Sequence, residues 1–365
     1  KTDDNLGLYG PKLGVGADSS LLPGGAIAGQ KVSLLLKSVL AQRVQSSDFS
    51  QLPIPFRAIA ADLVTGDMIE LHQGDLAWAL RASMSVPGAF DPVEYGDALL
   101  IDGGVASNLP VDVVRNMGAD IVIAVNVEFP LMQAEEIDGL VDIVNQLSTL
   151  LVGGNTRRQI DSLGENDVLI APPLGTDFGS AAFERVTEAI PAGYDAVASV
   201  ESSLSRLELP EHMYRDWRER VESCVSGPPE VHFVQLDNQS RFSDEVIGQL
   251  ITTQAGSILD SARMDHDLAQ VHALGFIRSA LYRVETRQGQ TGIVIEIIPD
   301  QRGEDFIETG LELTGNSRGS SIDLKAAYLK TDLDQRGSEF RGAVQLGNDQ
   351  GVLAELYMPV SDDLR

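Results

Sequence analysis

The sequence predicts an α/β domain, then a small β-α-α-β-β module, then a run of antiparallel strands. Three observations predict this fold class. Apolar strand-like runs and helical patterns alternate up to about residue 206, which is typical of an α/β layer. The order of the elements changes after Pro229. From Phe306 onward, apolar and polar residues alternate strictly, as they do in strands that have two unlike faces.

These changes of pattern set the expected domain boundaries. We expect an α/β domain at residues 1–210, a charged linker at 211–229, the small module at 230–300 and the start of a strand-rich domain at 301–365. A chain of 365 residues fits two or three domains. Neither end resembles a natural terminus and no signal peptide is visible, so we expect the chain to be a fragment.

The charge balance narrows the classes of partner. The 54 acidic residues against 27 basic ones give a formal net charge of −27. This argues against nucleic acid, because phosphate binding needs clustered lysine and arginine. The single cysteine, Cys224, excludes an internal disulfide framework and a cysteine-ligated metal site. The histidines have no metal-ligand spacing, so we expect neither a metal nor a cofactor.

The elements of the α/β region follow from apolar periodicity and from capping residues. Asp75 is expected to cap a helix that Pro87 and Gly88 end. The run at 120–127 is almost continuously apolar and β-branched, which predicts a strand buried on both faces of a parallel sheet. The other predicted elements are helices ending at Leu40 and spanning 111–117, 137–160 and 180–206, strands at 56–62, 68–71, 99–102 and 168–173, and a hairpin at 92–97.

Asp102 occupies the most informative position in this region. Three apolar residues, 99–101, lead directly into it, and Gly103 and Gly104 follow. The pattern predicts a buried strand that ends in a carboxylate, and strand ends of this kind collect ligands and catalytic groups in α/β proteins. The glycines allow a sharp turn and keep side chains away from the acid. The alternative is that Asp102 caps a helix or opens a turn.

The C-terminal part of the chain has two different patterns. Residues 231–298 predict a strand, two helices and a hairpin joined at Gly289 and Gln290. After Phe306, four alternating segments of about ten residues are typical of transmembrane β-barrel strands. Their shared faces are Ile307, Thr309, Leu311 and Leu313; Ile322, Leu324, Ala326 and Tyr328; Phe340, Gly342, Val344 and Leu346; and Val352, Ala354, Leu356 and Met358.

Four motifs stand in order within the α/β region. They are Ala82–Phe90 (ASMSVPGAF), Asp102-Gly103-Gly104, Asn108-Leu109-Pro110 and Met117-Gly118-Ala119-Asp120. With these motifs, the segment from Phe56 to Val127 resembles a patatin-like phospholipase domain, a parallel-sheet α/β sandwich that is incomplete here at its N-terminus. The small module, with Leu274-Gly275-Phe276 before its hairpin, resembles a polypeptide-transport-associated (POTRA) domain. With barrel-like strands at the end, the whole chain is similar to bacterial patatin-type autotransporters.

The resemblance implies a serine esterase with a Ser–Asp dyad that acts on phospholipid or another acyl ester. It implies Asp102 as the general base and Gly103 and Gly104 as the catalytic loop, with Ser83, Ser85 and Pro87 lining the cleft. It implies no cofactor. It also implies attachment to the outer membrane through the C-terminal barrel, and therefore a bacterial protein of the outer membrane or cell surface, or one with a secreted passenger.

The nucleophile of such a dyad is missing from its expected place. The only G-x-S-x-G match is Gly315–Gly319, which lies between two alternating strands and is interpreted as a hairpin turn. We expect the nucleophile and the glycine-rich oxyanion loop to lie outside this chain, and the chain as given to be inactive. Ser107 is interpreted as part of a turn. Asp62 ends a strand and is either a turn cap or a second cleft acid.

Two other functions stay open. The first is a non-catalytic transport or assembly component of the outer membrane with an α/β passenger. The second is a soluble α/β binding protein whose last strands close into a soluble sheet. A G-x-S-x-G motif on a strand-to-helix turn upstream favours the hydrolase, whereas detergent dependence of the protein counts against the soluble one.

Overall fold

The computed structural model describes residues 13–14, 25–27, 29–40, 47–128, 130–175, 185–223, 227–274, 277–299, 305–316, 319–331, 333–334, 338–347 and 350–358. The chain divides into two compact units. We call residues 25–27 and 46–225 the α/β unit, and residues 1–24, 28–45 and 226–365 the C-terminal unit.

The described elements follow in chain order. The strands are β1 (Leu13–Gly14), β2 (Gly25–Ile27), β3 (Ala58–Asp62), β4 (Met68–Leu71), β5 (Gly88–Phe90), β6 (Val93–Tyr95), β7 (Ala98–Asp102), β8 (Ile123–Val125), β9 (Val168–Ile170), β10 (Val234–Asn238), β11 (Ile277–Arg287), β12 (Gln290–Pro299), β13 (Asp305–Asn316), β14 (Gly319–Lys330), β15 (Glu339–Gly347) and β16 (Gly351–Tyr357). The helices are α1 (Gln30–Leu40), α2 (Leu76–Ser83), α3 (Gly104–Ser107), α4 (Val111–Asn116), α5 (Leu140–Asp161), α6 (Val186–Ser199), α7 (Glu201–Ser205), α8 (Glu211–Ser223), α9 (Asp244–Leu250) and α10 (Ser261–His272).

The α/β unit holds a four-stranded sheet in the order β4-β3-β7-β6, and every pairing in it is antiparallel. Parallel pairing occurs in two separate pairs, β2 with β5 and β8 with β9. The strand that ends in Asp102 therefore lies in an antiparallel sheet and not in the expected parallel one. Short turns join β3 to β4 and β6 to β7, and parallel strands need crossovers of a dozen residues or more.

Helix α2 packs on this sheet through its small residues. Ala79 and Ala82 are fully buried, together with Leu100 of β7 and Ala60 of β3. The carboxylate of Asp75 accepts a hydrogen bond from the Trp78 N–H at 3.1 Å, so the predicted cap of this helix is confirmed. The helix ends at Ser83, before Pro87 and Gly88.

Strand β8 differs from its prediction. Ile123 is 51% exposed and Val125 is 49% exposed, so the expected burial on both faces is wrong. The reason is its position, because among the described residues β8 pairs with β9 alone. Helix α5 has a similar exposed apolar stripe, formed by Ile143, Leu147, Leu150 and Leu151.

Two further segments differ from their predicted secondary structure. Part of the predicted helix at 180–206 is observed as α6 and α7, and residues 176–184 lie outside the described residues. The expected linker at 211–229 contains helix α8. The many charged residues of this segment led to the linker prediction. Their spacing is also compatible with the polar face of a helix.

Within the C-terminal unit, the β-α-α-β-β order predicted for residues 231–298 is confirmed by β10, α9, α10, β11 and β12. The sheet order is β10-β12-β11, with β10 parallel and β11 antiparallel to β12. Gln288 and Gly289 both have positive φ angles, 52° and 80°, as a two-residue hairpin turn of this type requires.

Helix α1 packs with this module, although residues 1–210 were expected to form one domain. The Gln30 side chain donates to the Ala280 carbonyl at 2.6 Å and accepts from the Ala280 N–H at 3.1 Å. Leu34 joins the buried cluster of the module. The Gln30 amide thus makes with the Ala280 backbone the pair of hydrogen bonds that a neighbouring strand would make. Residues 28–45 accordingly belong to the C-terminal unit.

The last four strands form an antiparallel meander in the order β13-β14-β15-β16, and β1 pairs with the free side of β13. Asn316 pairs with Gly319 across the β13–β14 turn. This confirms that the G-x-S-x-G match lies at a hairpin, and its Ser317 lies outside the described residues.

Candidate functional site

Asp102 is the last residue of β7, and its backbone is held from two sides. Its cross-strand neighbour is Ala60 of β3, and its N–H donates to the carbonyl of Ser85 at 2.9 Å. Leu100 and Ile101 before it are buried. The predicted arrangement, a buried strand ending in a carboxylate, is confirmed.

Gly103 lies where the chain passes closest to β3. A Cβ atom at this position would lie 2.1 Å from the carbonyl oxygen of Ile59, well inside any allowed contact. Its φ angle of −66° is ordinary, so close approach and not an unusual turn requires glycine here. At Gly104, a Cβ atom would lie 3.0 Å from Oδ1 of Asp102. The prediction that a glycine keeps side chains away from the acid is confirmed at Gly104, whereas Gly103 is required by the close approach to β3.

The carboxylate of Asp102 is held at one oxygen only. Oδ1 accepts a hydrogen bond from the Gly104 N–H at 2.7 Å, and Oδ2 accepts none from the described part of the chain. Burial raises the pKa of Asp102, and the hydrogen bond from Gly104 opposes this without cancelling it. The result is an oriented carboxylate of increased basicity, one oxygen of which has no hydrogen-bond donor among the described residues.

The loop after Asp102 is fastened to helix α5 by a buried asparagine. The side-chain amide of Asn155 donates to the carbonyls of Gly104 at 3.0 Å and Val105 at 3.2 Å. Its Oδ1 accepts the Asn108 N–H at 3.0 Å. Sequence reasoning missed Asn155, since about fifty residues separate it from the loop. No local pattern marks it, because polar and charged residues follow it directly in the helix.

Ser83 and Ser85 contact the Asp102 segment mainly through backbone groups. The carbonyl of Ser83 accepts the Gly103 N–H at 3.3 Å, and its hydroxyl donates to the Ile59 carbonyl at 2.6 Å. Ser85 is fully buried, so its hydroxyl faces no open space. Ser83 and Pro87 are half-buried, and their cleft-lining role stays a prediction.

A buried arginine lies behind Ser85, and sequence reasoning missed it. Arg81 donates to the Ser85 hydroxyl at 2.5 Å, and its guanidinium stacks on the ring of Phe90 at 4.8 Å. Burial lowers the pKa of Arg81, and the charge of Asp91 acts in the opposite direction. Arg81 thereby supports Ser85, whose carbonyl in turn holds the Asp102 N–H.

Asp62 is a turn cap. Its Oδ1 accepts the Val64 N–H at 3.0 Å and the Leu99 N–H at 3.3 Å, and its Oδ2 accepts the Thr65 hydroxyl at 3.0 Å. These bonds, led by that from Val64, lower the pKa of Asp62. Of the two interpretations of Asp62, the structure favours the cap over the second cleft acid.

A small open cavity of about 320 Å³ lies beside the short helix α3. Ser107 is buried there, and its hydroxyl has no hydrogen-bond partner among the described residues. The lining residues are Met68, Ala106, Ser107, Asp112, Asn155, Arg158 and Gln159.

The described residues contain no group of three or more histidine, cysteine, aspartate or glutamate side chains placed to hold a metal ion. None of the described helices combines the length and the hydropathy that a membrane span requires.

Comparison with known proteins gives one family match. Residues 20–115 match the family of patatin-like phospholipases, and this range contains Asp102, Gly103 and Gly104. The POTRA-like and barrel-like regions lie outside the matched range.

Curated relatives match over short segments. An uncharacterized NTE family protein of Mycobacterium tuberculosis is 33% identical over 109 residues, which are 30% of this chain and 29% of the relative. A second one from the same organism is 46% identical over 63 residues, or 17% of this chain and 11% of the relative. A lysophospholipase of Debaryomyces hansenii is 40% identical over 65 residues, which cover 18% of this chain and 4% of the relative. The chain thus spans less than a third of each of these relatives.

Among solved structures, BamA from Haemophilus ducreyi lacking POTRA domains 1–3 is 16% identical. The superposition covers 38% of this chain and 26% of that one, with a TM-score of 0.31. A TM-score this low does not establish a shared fold.

Proposed function

We propose that this chain is the aspartate-bearing part of a lipid acyl-ester hydrolase with a Ser–Asp dyad. The observation that carries the proposal is the carboxylate of Asp102. It ends a buried strand, one oxygen is oriented by the Gly104 N–H at 2.7 Å, the other accepts no hydrogen bond from the described residues, and burial raises its pKa. The similarity of residues 20–115 to patatin-like phospholipases supports the same assignment.

The chemistry follows from a base placed beside a serine hydroxyl. The serine oxygen forms a bond to the ester carbonyl carbon while Asp102 accepts the hydroxyl proton. Negative charge moves to the carbonyl oxygen, where backbone N–H groups stabilise it. Asp102 then gives the proton to the leaving alcohol, and water releases the fatty acid by the same two steps. The raised pKa suits this role, since a more basic carboxylate takes the proton more readily.

Gly103 and Gly104 form the loop that positions the base, because any side chain there would collide with β3 or press on the carboxylate. Asn155 and Arg81 hold that loop and the neighbouring segment from outside. Ser83 and Pro87 are proposed to line the cleft, whereas Ser85 contributes its carbonyl.

We propose further that the β13–β16 sheet contacts the lipid of an outer membrane, which makes the protein a bacterial surface protein. Val352 is 86% exposed and Leu346 is 59% exposed, and both lie on one apolar face. On the opposite face, Glu308 and Arg341 form a buried ion pair at 2.5 Å. The face with this ion pair also holds the buried side chains of Phe306 and Leu329. An exposed apolar face opposite buried charges is not expected of a sheet in water, and it fits strands whose apolar face contacts lipid. A POTRA-like role for the preceding module belongs to the same proposal.

The hydrolase is tested by supplying the nucleophile. The 365-residue chain and a chain extended upstream by about 100 residues, as its gene encodes them, are assayed on phospholipid and on a soluble acyl ester. We expect turnover from the extended chain alone. Turnover by the 365-residue chain that Asp102→Asn abolishes would contradict the proposal that the nucleophile lies outside this chain.

The same assay separates the proposal from a non-catalytic transport component. That function predicts no ester turnover by either chain, and no G-x-S-x-G motif on a strand-to-helix turn in the upstream sequence.

A further inference from the structure

Helix α8 is an amphipathic helix in the segment that was expected to be a linker. It spans thirteen residues, Glu211–Ser223, which is about 20 Å of helix. None of its residues is buried, and it contributes no side chain to the hydrophobic clusters of the described residues. The described part of the protein therefore does not bury the apolar side chains of α8.

Those apolar side chains share one face. At about 100° per residue, Met213, Tyr214, Trp217 and Val221 form a single stripe along the helix. The rings of Tyr214 and Trp217 stack with their centroids 5.8 Å apart. Met213 and Tyr214 are each 49% exposed, and Trp217 is 37% exposed.

The charged residues of α8 are largely sorted by sign around this stripe. Arg220 borders it beside Met213, and Arg218 borders it beside Tyr214, on the other side. The acids lie around the opposite face of the helix, together with one arginine: Glu211, Asp216, Glu219, Glu222 and Arg215. Arg218 pairs with Glu222 at 2.7 Å, in an exposed i,i+4 bridge that contributes little to stability in water.

We propose that α8 is a membrane-surface helix that lies in the plane of a phospholipid interface. The stripe of Met213, Tyr214, Trp217 and Val221 enters the boundary between headgroups and acyl chains, and Arg218 and Arg220 reach the lipid phosphates. The proposal does not depend on the hydrolase activity.

The distribution of charged residues around α8 favours lipid over a protein partner as the surface that its apolar stripe contacts. Tryptophan and tyrosine rings prefer the headgroup level of a bilayer, and arginines at the border of an apolar stripe can extend their guanidinium groups to phosphate. The acids face away from the lipid, toward water. In a chain with a net charge of −27, this arrangement presents cations where phosphates lie and keeps the anions apart from them.

The test uses Trp217 as a local reporter in the full 365-residue chain. The chain has two tryptophans, so Trp78→Phe leaves Trp217 as the only one. The protein is mixed with phosphatidylcholine vesicles whose acyl chains carry bromine near the headgroup end, near the methyl end, or not at all. We expect a blue shift of Trp217 emission, with strong quenching by the shallow bromines and weak quenching by the deep ones, because such helices enter only ~5–10 Å.

Two double variants serve as a matched pair. Met213→Ser with Val221→Ser removes apolar surface from the stripe, and we expect loss of the quenching. His212→Ser with Glu219→Ser makes the same number of changes on the opposite face, and we expect the quenching to persist. If Trp78→Phe fails to fold, the difference in quenching between the wild type and Trp217→Phe gives the same quantity.

Two outcomes would overturn the proposal. The first is equal Trp217 emission with brominated and unbrominated vesicles, whether or not the chain binds them through another surface. The second is a blue shift of Trp217 that depends on protein concentration without lipid, which would show that a second copy of the chain covers the stripe.

Discussion

At Gly103 the protein leaves no room for even a methyl group. A Cβ atom would lie 2.1 Å from the backbone oxygen of Ile59, and backbone cannot rotate away as a side chain can. We expect Gly103→Ala to lower the free energy of unfolding of the α/β unit by about 1–3 kcal/mol, measured by urea unfolding with circular dichroism.

Gly154 in helix α5 is the control for this variant. Nothing lies within 4 Å of a Cβ atom built there, so Gly154→Ala adds the same methyl group to open space within a helix. We expect it to raise the free energy of unfolding by about 0.5–1 kcal/mol. A Gly103→Ala variant as stable as Gly154→Ala would contradict the close approach of the loop after Asp102 to β3.

Asp265 in helix α10 is the second residue with a clear prediction. Its Oδ1 is buried and has no hydrogen-bond partner among the described residues, and the hydroxyl of Tyr282 is in the same condition. Burial raises the pKa of Asp265 to about 6. The folded state then binds more protons than the unfolded chain between the ordinary carboxyl pKa and about 6, so this group's contribution to stability falls as pH rises through that window.

We therefore expect Asp265→Asn to stabilise the C-terminal unit at pH 8 more than at pH 4.5, measured by thermal unfolding at both values. Asp267, two residues along the same helix, is the control. It is buried, and its carboxylate accepts the N–H of Thr252 at 2.7 Å. Asp267→Asn should destabilise the unit at pH 8, since it weakens a satisfied buried bond. Equal effects of Asp265→Asn at both pH values would contradict the assigned burial.

At the scale of elements, the β13–β16 sheet gives the sharpest prediction. If its apolar face contacts lipid, detergent micelles should protect the backbone amides of residues 338–347 and 350–358 from hydrogen exchange. Leu346→Lys with Val352→Lys should remove this protection, because lysine on a lipid-facing strand costs ~2–4 kcal/mol at the bilayer centre. Gln350→Lys places a lysine at an exposed position just before β16 and should leave the protection in place. Exchange that detergent does not alter in the wild type would exclude lipid contact by this face.

Elements with a strong local signal could be predicted from the sequence. Asp75 capping α2, the 68–71 strand and the β-α-α-β-β order depend on residues near one another in the chain. The pairing of strands that lie far apart in the chain could not be predicted from local sequence patterns. The pattern at 120–127 gave the position of β8 but not its exposure, because exposure depends on which strands lie beside it.

The features of the candidate site likewise divide into those with a local sequence signal and those that depend on long-range contacts. The placement of Asp102 at a strand end and the need for small residues after it could be read from the sequence at 99–104. The anchoring of that loop by Asn155 could not, since it joins segments about fifty residues apart. Helix α8 was missed because its charged composition is also that of a linker.

At the scale of the whole molecule, the two units contain different parts of the proposed functional apparatus. The α/β unit contains Asp102 and the residues that hold it, and residues 46–115 of the range similar to patatin-like phospholipases lie in it. The C-terminal unit contains the exposed apolar sheet. We propose that the first provides the general base and the membrane-surface helix α8, and that the second provides a lipid-contacting sheet.

The central claim is that Asp102 is the general base, and the kcat of the upstream-extended chain tests it most directly. Asp102→Asn is compared with Asp62→Asn, which changes a neighbouring carboxylate that only caps a turn. We expect Asp102→Asn to lower kcat by about 10²–10⁴-fold with the unfolding midpoint unchanged, and Asp62→Asn to lower stability with kcat retained. In the wild type, kcat/KM should rise with pH through a pKa above the ordinary carboxyl range, because burial raises that of Asp102. An Asp102→Asn enzyme that keeps the wild-type kcat would contradict the account.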